Sequence, residues 1–173
     1  QDIFDTLLRQ FEMITQALQD RFDTKLAGIT EITKASFTAV GLAILNTYFL
    51  DGQILKFIRM LMIEQHVNHK AADLYHRIVF EHPLAQHAEV FQTLMRRGYF
   101  RKGDIHFLAE EYYAPILLIF YRYFAGGAIT EGRLKKANER LAGHLGSFYD
   151  RYSLFDREKG AIDEGLQEQK GKG

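Results

Sequence analysis

The sequence predicts an all-α fold, a helical bundle of about six to seven helices. Apolar side chains recur every three or four residues along most of its 173 residues. Only two prolines and scattered glycines punctuate that pattern. The densest repeat lies between residues 104 and 148, where two helical stretches follow one another. The first carries Ile105, Leu108, Tyr112, Ile116, Ile119 and Tyr123 as one stripe and Phe107, Ala114, Leu117, Tyr121 and Phe124 as another. A surface helix of a monomer needs one apolar stripe, so the second asks for a further partner. The last helix shows Leu134, Ala137, Leu141, Leu145, Phe148 and Tyr152 on one side, with Ala142, Gly143 and Gly146 leaving room for another helix beside them. This pair reads as a dimerisation device.

The remaining elements follow in order. Phe4, Leu7, Leu8, Phe11, Ile14, Leu18 and Phe22 place a helix over residues 2–22. That helix begins almost at the first residue, without an initiating Met, and an N-terminal portion is expected to be missing. A second helix is expected over 26–49 from Ile29, Ile32, Phe37, Val40, Ile44 and Tyr48. Gly41 inside it costs about 1 kcal/mol relative to Ala, and a close packing neighbour would explain it. Asp51-Gly52 marks a turn. Residues 53–65 are apolar nearly all round (Ile54, Leu55, Phe57, Ile58, Met60, Leu61, Met62, Ile63), which predicts a buried central helix.

Asn68 is placed to cap the next helix, with Ala71, Leu74, Tyr75 and Ile78 inward. Pro83 predicts a kink or restart near Glu81-His82-Pro83. Leu84, Ala88, Phe91, Leu94 and Met95 then continue to Arg97, with Gly98 as C-cap. Asp104 caps the two-striped helix, which Pro115 is expected to bend, and Gly126-Gly127 ends it before Thr130 caps the last. Residues 1–155 thus form one domain, and the polar stretch 156–173 is expected to be a flexible tail.

Composition narrows the function classes. The chain is 47% hydrophobic and 25% charged, within the range of ordinary globular domains. It has no cysteine, so disulfide frameworks and thiolate metal sites are excluded. A formal net charge of zero argues against a strong nucleic-acid footprint in these residues. No signal peptide is visible and no run reaches the roughly 18 apolar residues of a membrane span. The serines Ser36, Ser147 and Ser153 lack glycine-flanked elbows, and no phosphate-binding glycine loop is present.

Three groupings remain. His69, Asp73 and His76 lie on one helical face and have the chemistry of a divalent metal site, although a solvated polar face is the favoured account of them. No Glu-x-x-His element occurs, which argues against a di-iron carboxylate bundle. Glu64 ends the most apolar helix and either meets water or orients a ligand. The nine tyrosines and fourteen phenylalanines, with Met60, Met62 and Met95, suggest an apolar cavity or plain core packing.

The helix order resembles the C-terminal domain of the TetR/AcrR family of transcriptional repressors over residues 1–152. Gln1-Asp2-Ile3-Phe4-Asp5-Thr6-Leu7-Leu8 resembles the start of that family's long linking helix, Arg59-Met60-Leu61-Met62-Ile63-Glu64 its core helix, and Arg97-Gly98-Tyr99-Phe100-Arg101-Lys102-Gly103-Asp104 its connector before the penultimate helix. The resemblance implies a cytoplasmic, non-enzymatic homodimeric regulator without cofactor, whose last two long helices form an intersubunit four-helix bundle. DNA would be bound only through an N-terminal helix-turn-helix absent from this chain. Ligand-binding candidates are Phe57, Met60, Leu61, Glu64, Tyr75, Phe91, Tyr112 and Tyr113, for a lipophilic or planar effector. Dimer candidates are Leu117, Phe120, Tyr121, Phe124, Leu141, Leu145 and Phe148. The alternatives are a helical small-molecule carrier and, less favoured, a metal-dependent helical enzyme using His69, Asp73 and His76.

Overall fold

A computed structural model describes residues 31–154 and, ahead of them, 5, 6, 8–13, 16, 17, 20 and 24, which are helical. The rest of the expected first helix, the residues around Ile29 and the expected tail lie outside the described residues. Helices α1 (Lys34–Leu50), α2 (Gly52–Glu64), α3 (His69–His76), α4 (His82–Arg96), α5 (Ile105–Tyr123) and α6 (Glu131–Tyr152) follow, with a π turn at Arg77–Glu81 joining α3 to α4. The architecture is all-α. Among the described residues the only extended pairing is an isolated bridge between Phe100 and Ser153.

The polar residues between the apolar repeats set the helix ends. Asn68 accepts from the amides of Lys70 and Ala71, Asp104 from those of His106 and Phe107, and Thr130 from that of Arg133. Each occupies one orphan position of a helix N-terminus. Gly98 sits at φ 75° and closes α4 in a Schellman arrangement, with Gly98 N donating to Met95 O and Tyr99 N to Leu94 O. The start of α1 departs from the expected residue 26, because Glu31–Thr33 is not helical. Thr33 and Ser36 form a reciprocal capping box there, Ser36 N donating to Thr33 Oγ1 at 3.1 Å and Thr33 N to Ser36 Oγ at 3.0 Å.

Pro83 acts as expected, through a different geometry. The carbonyl of Val79 would find its α-helical donor at position 83, where proline has no N–H. The chain responds with the π turn, in which His82 N donates to Arg77 O, and the orphaned Val79 carbonyl accepts the Tyr113 hydroxyl of α5 at 2.8 Å. Pro115 lies within α5, which continues through it to Tyr123.

Two apolar clusters organise the bundle. The larger joins α1, α4, α5 and α6 and holds Phe91, Phe100, Ile116, Phe124, Leu141, Leu145, Phe148 and Tyr149, all essentially sealed from solvent. The smaller holds Phe57, Leu61, Ala71, Leu74, Tyr75, Ile78 and Val79. Helix α2 lies between them, so it is not the sealed central helix expected. Leu55 joins the larger cluster, Phe57 and Leu61 the smaller, and Ile63 remains 72% exposed. A helix apolar all round therefore reflects two partners on different sides.

Helices α1 and α6 approach each other closely at Gly41. A Cβ added at Gly41 would stand 2.9 Å from Leu145 Cδ1, and Leu145 is completely buried. Gly146 meets the Lys34 side chain in the same interface, Lys34 pairs with Asp150, and the Tyr149 hydroxyl donates to Ile32 O at 2.7 Å. Gly41→Ala gains helix propensity but overpacks a sealed contact, and the net effect expected is a loss of about 1–2 kcal/mol. Tyr149→Phe strands the Ile32 carbonyl and should cost about 1–3 kcal/mol. Urea denaturation of both variants checks these values.

Candidate functional site

A cavity of about 210 Å³ opens between the helices, with a mainly apolar lining. Helix α1 supplies one wall through Phe37, Val40, Ile44, Leu45 and Tyr48, and α2 contributes Ile54 and Ile58. The π turn and α4 contribute Val79, Pro83, Gln86, His87, Val90 and Phe91, and α5 contributes Tyr112, Tyr113, Ile116, Leu117 and Phe120. Phe11, from the helical residues before α1, completes it and also packs at a tilt against Phe57, 5.9 Å between ring centroids.

The walls are held by polar contacts behind the apolar surface. Tyr113 is fixed by its bond to Val79 O. The Tyr112 carbonyl, three residues before Pro115, receives His144 Nε2 from α6 at 2.7 Å. The Glu111 carboxylate binds both Arg151 and Tyr152 of α6, and Arg59 of α2 donates to the carbonyls of Phe124 and Gly127 beyond the end of α5. Together these tie α5 to its neighbours on both sides, leaving the α1 and α4 faces to define the open space.

Of the expected ligand-binding residues, Phe91, Tyr112 and Tyr113 meet at the cavity. Phe57, Met60, Leu61 and Tyr75 belong instead to the smaller cluster, and the Tyr75 hydroxyl is buried there without a hydrogen-bond partner. Glu64 is half-buried at the end of α2, away from the lining. Met60, Met62 and Met95 are likewise absent from the lining, so the walls are aromatic and branched aliphatic rather than methionine-rich.

The expected dimer residues are also redistributed. Phe124, Leu141 and Leu145 are completely buried in this chain's own core, and Phe120 and Phe148 nearly so. Those side chains already have partners and present nothing to a second copy. Leu117 and Phe120 line the cavity. Tyr121 remains exposed, and with it Phe107 at 60%, Ala114 and Leu118 at 66%. His69, Asp73 and His76 are all exposed, and no group of three or more ligating side chains comes together among the described residues. His76 Nδ1 lies instead 3.2 Å from Glu81.

The residue that sequence reading passed over is His87. It stands four residues before Phe91 and seven before Leu94, hence on the inward face of α4. Its ring packs against Tyr112 at 4.8 Å and Tyr113 at 5.6 Å between centroids. It is partly buried and lines the cavity. Desolvation pushes its pKa down to about 4, and burial raises those of Tyr112 and Tyr113. All three are therefore uncharged at neutral pH. For a histidine depressed from 6.5 to about 4, the unfolded chain takes up the proton first, so the contribution to stability is complete above pH 6.5 and is lost on acidification towards 4. His144, also depressed by desolvation, adds with the same sign. The loss assigned to His87 is on the order of 1–3 kcal/mol. Urea titrations at pH 7 and pH 4.5 should show it in the wild type and show a smaller pH difference in His87→Phe.

No helix among the described residues is long and apolar enough to cross a membrane. No protein-family model and no curated protein sequence matches this chain. A crystal structure of a protein assigned to the TetR family of transcriptional regulators, from Mesorhizobium loti MAFF303099, superimposes with a TM-score of 0.70. The match covers 87% of this chain and 73% of that one at 16% sequence identity. The chain therefore has a TetR-like all-α fold.

Proposed function

We propose that residues 1–155 form the ligand-sensing and dimerisation domain of a TetR-like transcriptional regulator, a repressor rather than an enzyme. DNA is then read by an N-terminal helix-turn-helix outside this chain. The observation that carries the reading is the apolar cavity bounded partly by Phe11, on the segment leading towards such a domain. A ligand filling the space meets Phe11 directly, and a shift of its helix alters the separation of two DNA readers. Those readers must sit about one DNA turn or a multiple apart, so a small tilt is sufficient to release an operator.

The second half of the proposal concerns the outer face of α5 and α6. Phe107, Ala114, Leu118 and Tyr121 follow one another at heptad-like spacing and are exposed. A groove beside them is lined by Pro115, Leu118, Ile119, Arg122, Arg140, Gly143 and His144, and Gly143 has open space where a Cβ would stand. A second copy of the same helix pair would cover this stripe across a two-fold axis, giving the four-helix bundle. The two halves separate experimentally. Toluene at about ten times its Kd should stabilise the wild type by about 1.4 kcal/mol, raising its thermal midpoint by about 3–6 °C. Ile44→Trp, which fills the cavity, should lose that shift while keeping the dimer mass in native mass spectrometry. Leu118→Glu should run as a monomer and keep the shift. A monomeric wild type, or an unchanged toluene response in Ile44→Trp, contradicts the corresponding half.

A further inference from the structure

The chemistry of the cavity restricts its ligand further, on the reading that this cavity is the sensing site. Its lining contains no lysine, arginine, aspartate or glutamate. An ionised ligand would leave its water shell for walls with no charged partner, which is strongly unfavourable. A pure hydrocarbon, on the other hand, would leave polar groups of the wall unused. Among the described residues no hydrogen bond is made by the ring nitrogens of His87 or the hydroxyl of Tyr112, and both side chains line the cavity, His87 partly accessible and Tyr112 buried. Polar atoms left without a protein partner at a cavity wall take their hydrogen bonds from whatever occupies the space, a water or a ligand.

The two rings are neighbours, with centroids 4.8 Å apart in an edge-on arrangement. A neutral imidazole offers one donor and one acceptor, and a phenol can do either. The rest of the lining is mainly aliphatic and aromatic, Ile44, Val90 and Ile116 among it, with Ser36, Tyr48, His82 and Gln86 as further polar side chains. The volume of about 210 Å³ suits one aryl ring with a short alkyl chain, since an apolar cavity of about 150 Å³ accepts benzene.

We propose that the cavity takes an uncharged, single-ring lipophilic compound bearing one hydroxyl or carbonyl group, hydrogen-bonded by the His87–Tyr112 pair. The test compares three probes by isothermal titration calorimetry on the intact chain at pH 7: 4-propylphenol, propylbenzene and 4-propylbenzoate. The phenol should bind at least tenfold more tightly than the benzoate. His87→Leu should weaken the phenol about fivefold or more while leaving propylbenzene within about twofold. Tyr112→Phe, which removes a single oxygen and keeps the ring packing, should act in the same direction. Benzoate binding as tight as the phenol's, or unchanged phenol affinity in both variants, overturns the inference and leaves the cavity as a ligand site. If none of the three probes binds the wild type, the sensing-site reading falls and this inference with it.

Discussion

The close approach of α1 to α6 at Gly41 is the constraint on which the rest of the bundle depends. With no Cβ at that position, Leu145 of α6 reaches the α1 backbone, and the neighbouring Tyr149–Ile32 and Lys34–Asp150 contacts hold the same pair of helices. One side of α1 is thereby committed to α6. The other side, carrying Val40, Ile44 and Tyr48, faces inward without close partners and becomes the wall of the cavity. Interiors are packed near crystal density, so a void of this size persists only where the surrounding helices are fixed by contacts elsewhere. The fixed contacts here are Gly41 on α6, Tyr113 on the π turn, and Glu111 with His144 between α5 and α6.

Prolines contribute by what they remove. Pro83 deprives the Val79 carbonyl of its helical donor, and the Tyr113 hydroxyl satisfies it. That bond also orients a tyrosine that lines the cavity. Near Pro115 the carbonyl of Tyr112 is drawn into a bond with His144, which settles the hydrogen of that imidazole on Nε2. At Pro83 a local break in a backbone ladder becomes a contact between helices. The tyrosine backbone and side chain at the cavity are thus held by the same chemistry that shapes the fold.

What the sequence made legible follows from how local each signal is. The caps at Asn68, Gly98, Asp104 and Thr130, and the need for a close neighbour at Gly41, depend on backbone geometry within a few residues and were read correctly. The destination of an apolar face is a different matter. Periodicity shows that Phe124, Leu141, Leu145 and Phe148 are buried, but carries no information on whether the covering surface belongs to the same chain. It misassigned α2 for the same reason, since a helix between two clusters and a helix in one sealed core have the same pattern. The cavity is harder still, because Ile44 and Val40 look like packed core residues from their spacing. His87 was readable from its place four residues before Phe91, a lone imidazole among inward aromatics.

The central claim is that the space between α1, α4 and α5 is a real, lined cavity kept open by the α1–α6 contact. Crystals under xenon pressure test it most directly, because xenon enters apolar voids and scatters strongly. Ordered xenon is expected beside Ile44, Val90 and Ile116. An absence of xenon there, with Phe37 and Phe91 closed over the space, would contradict it.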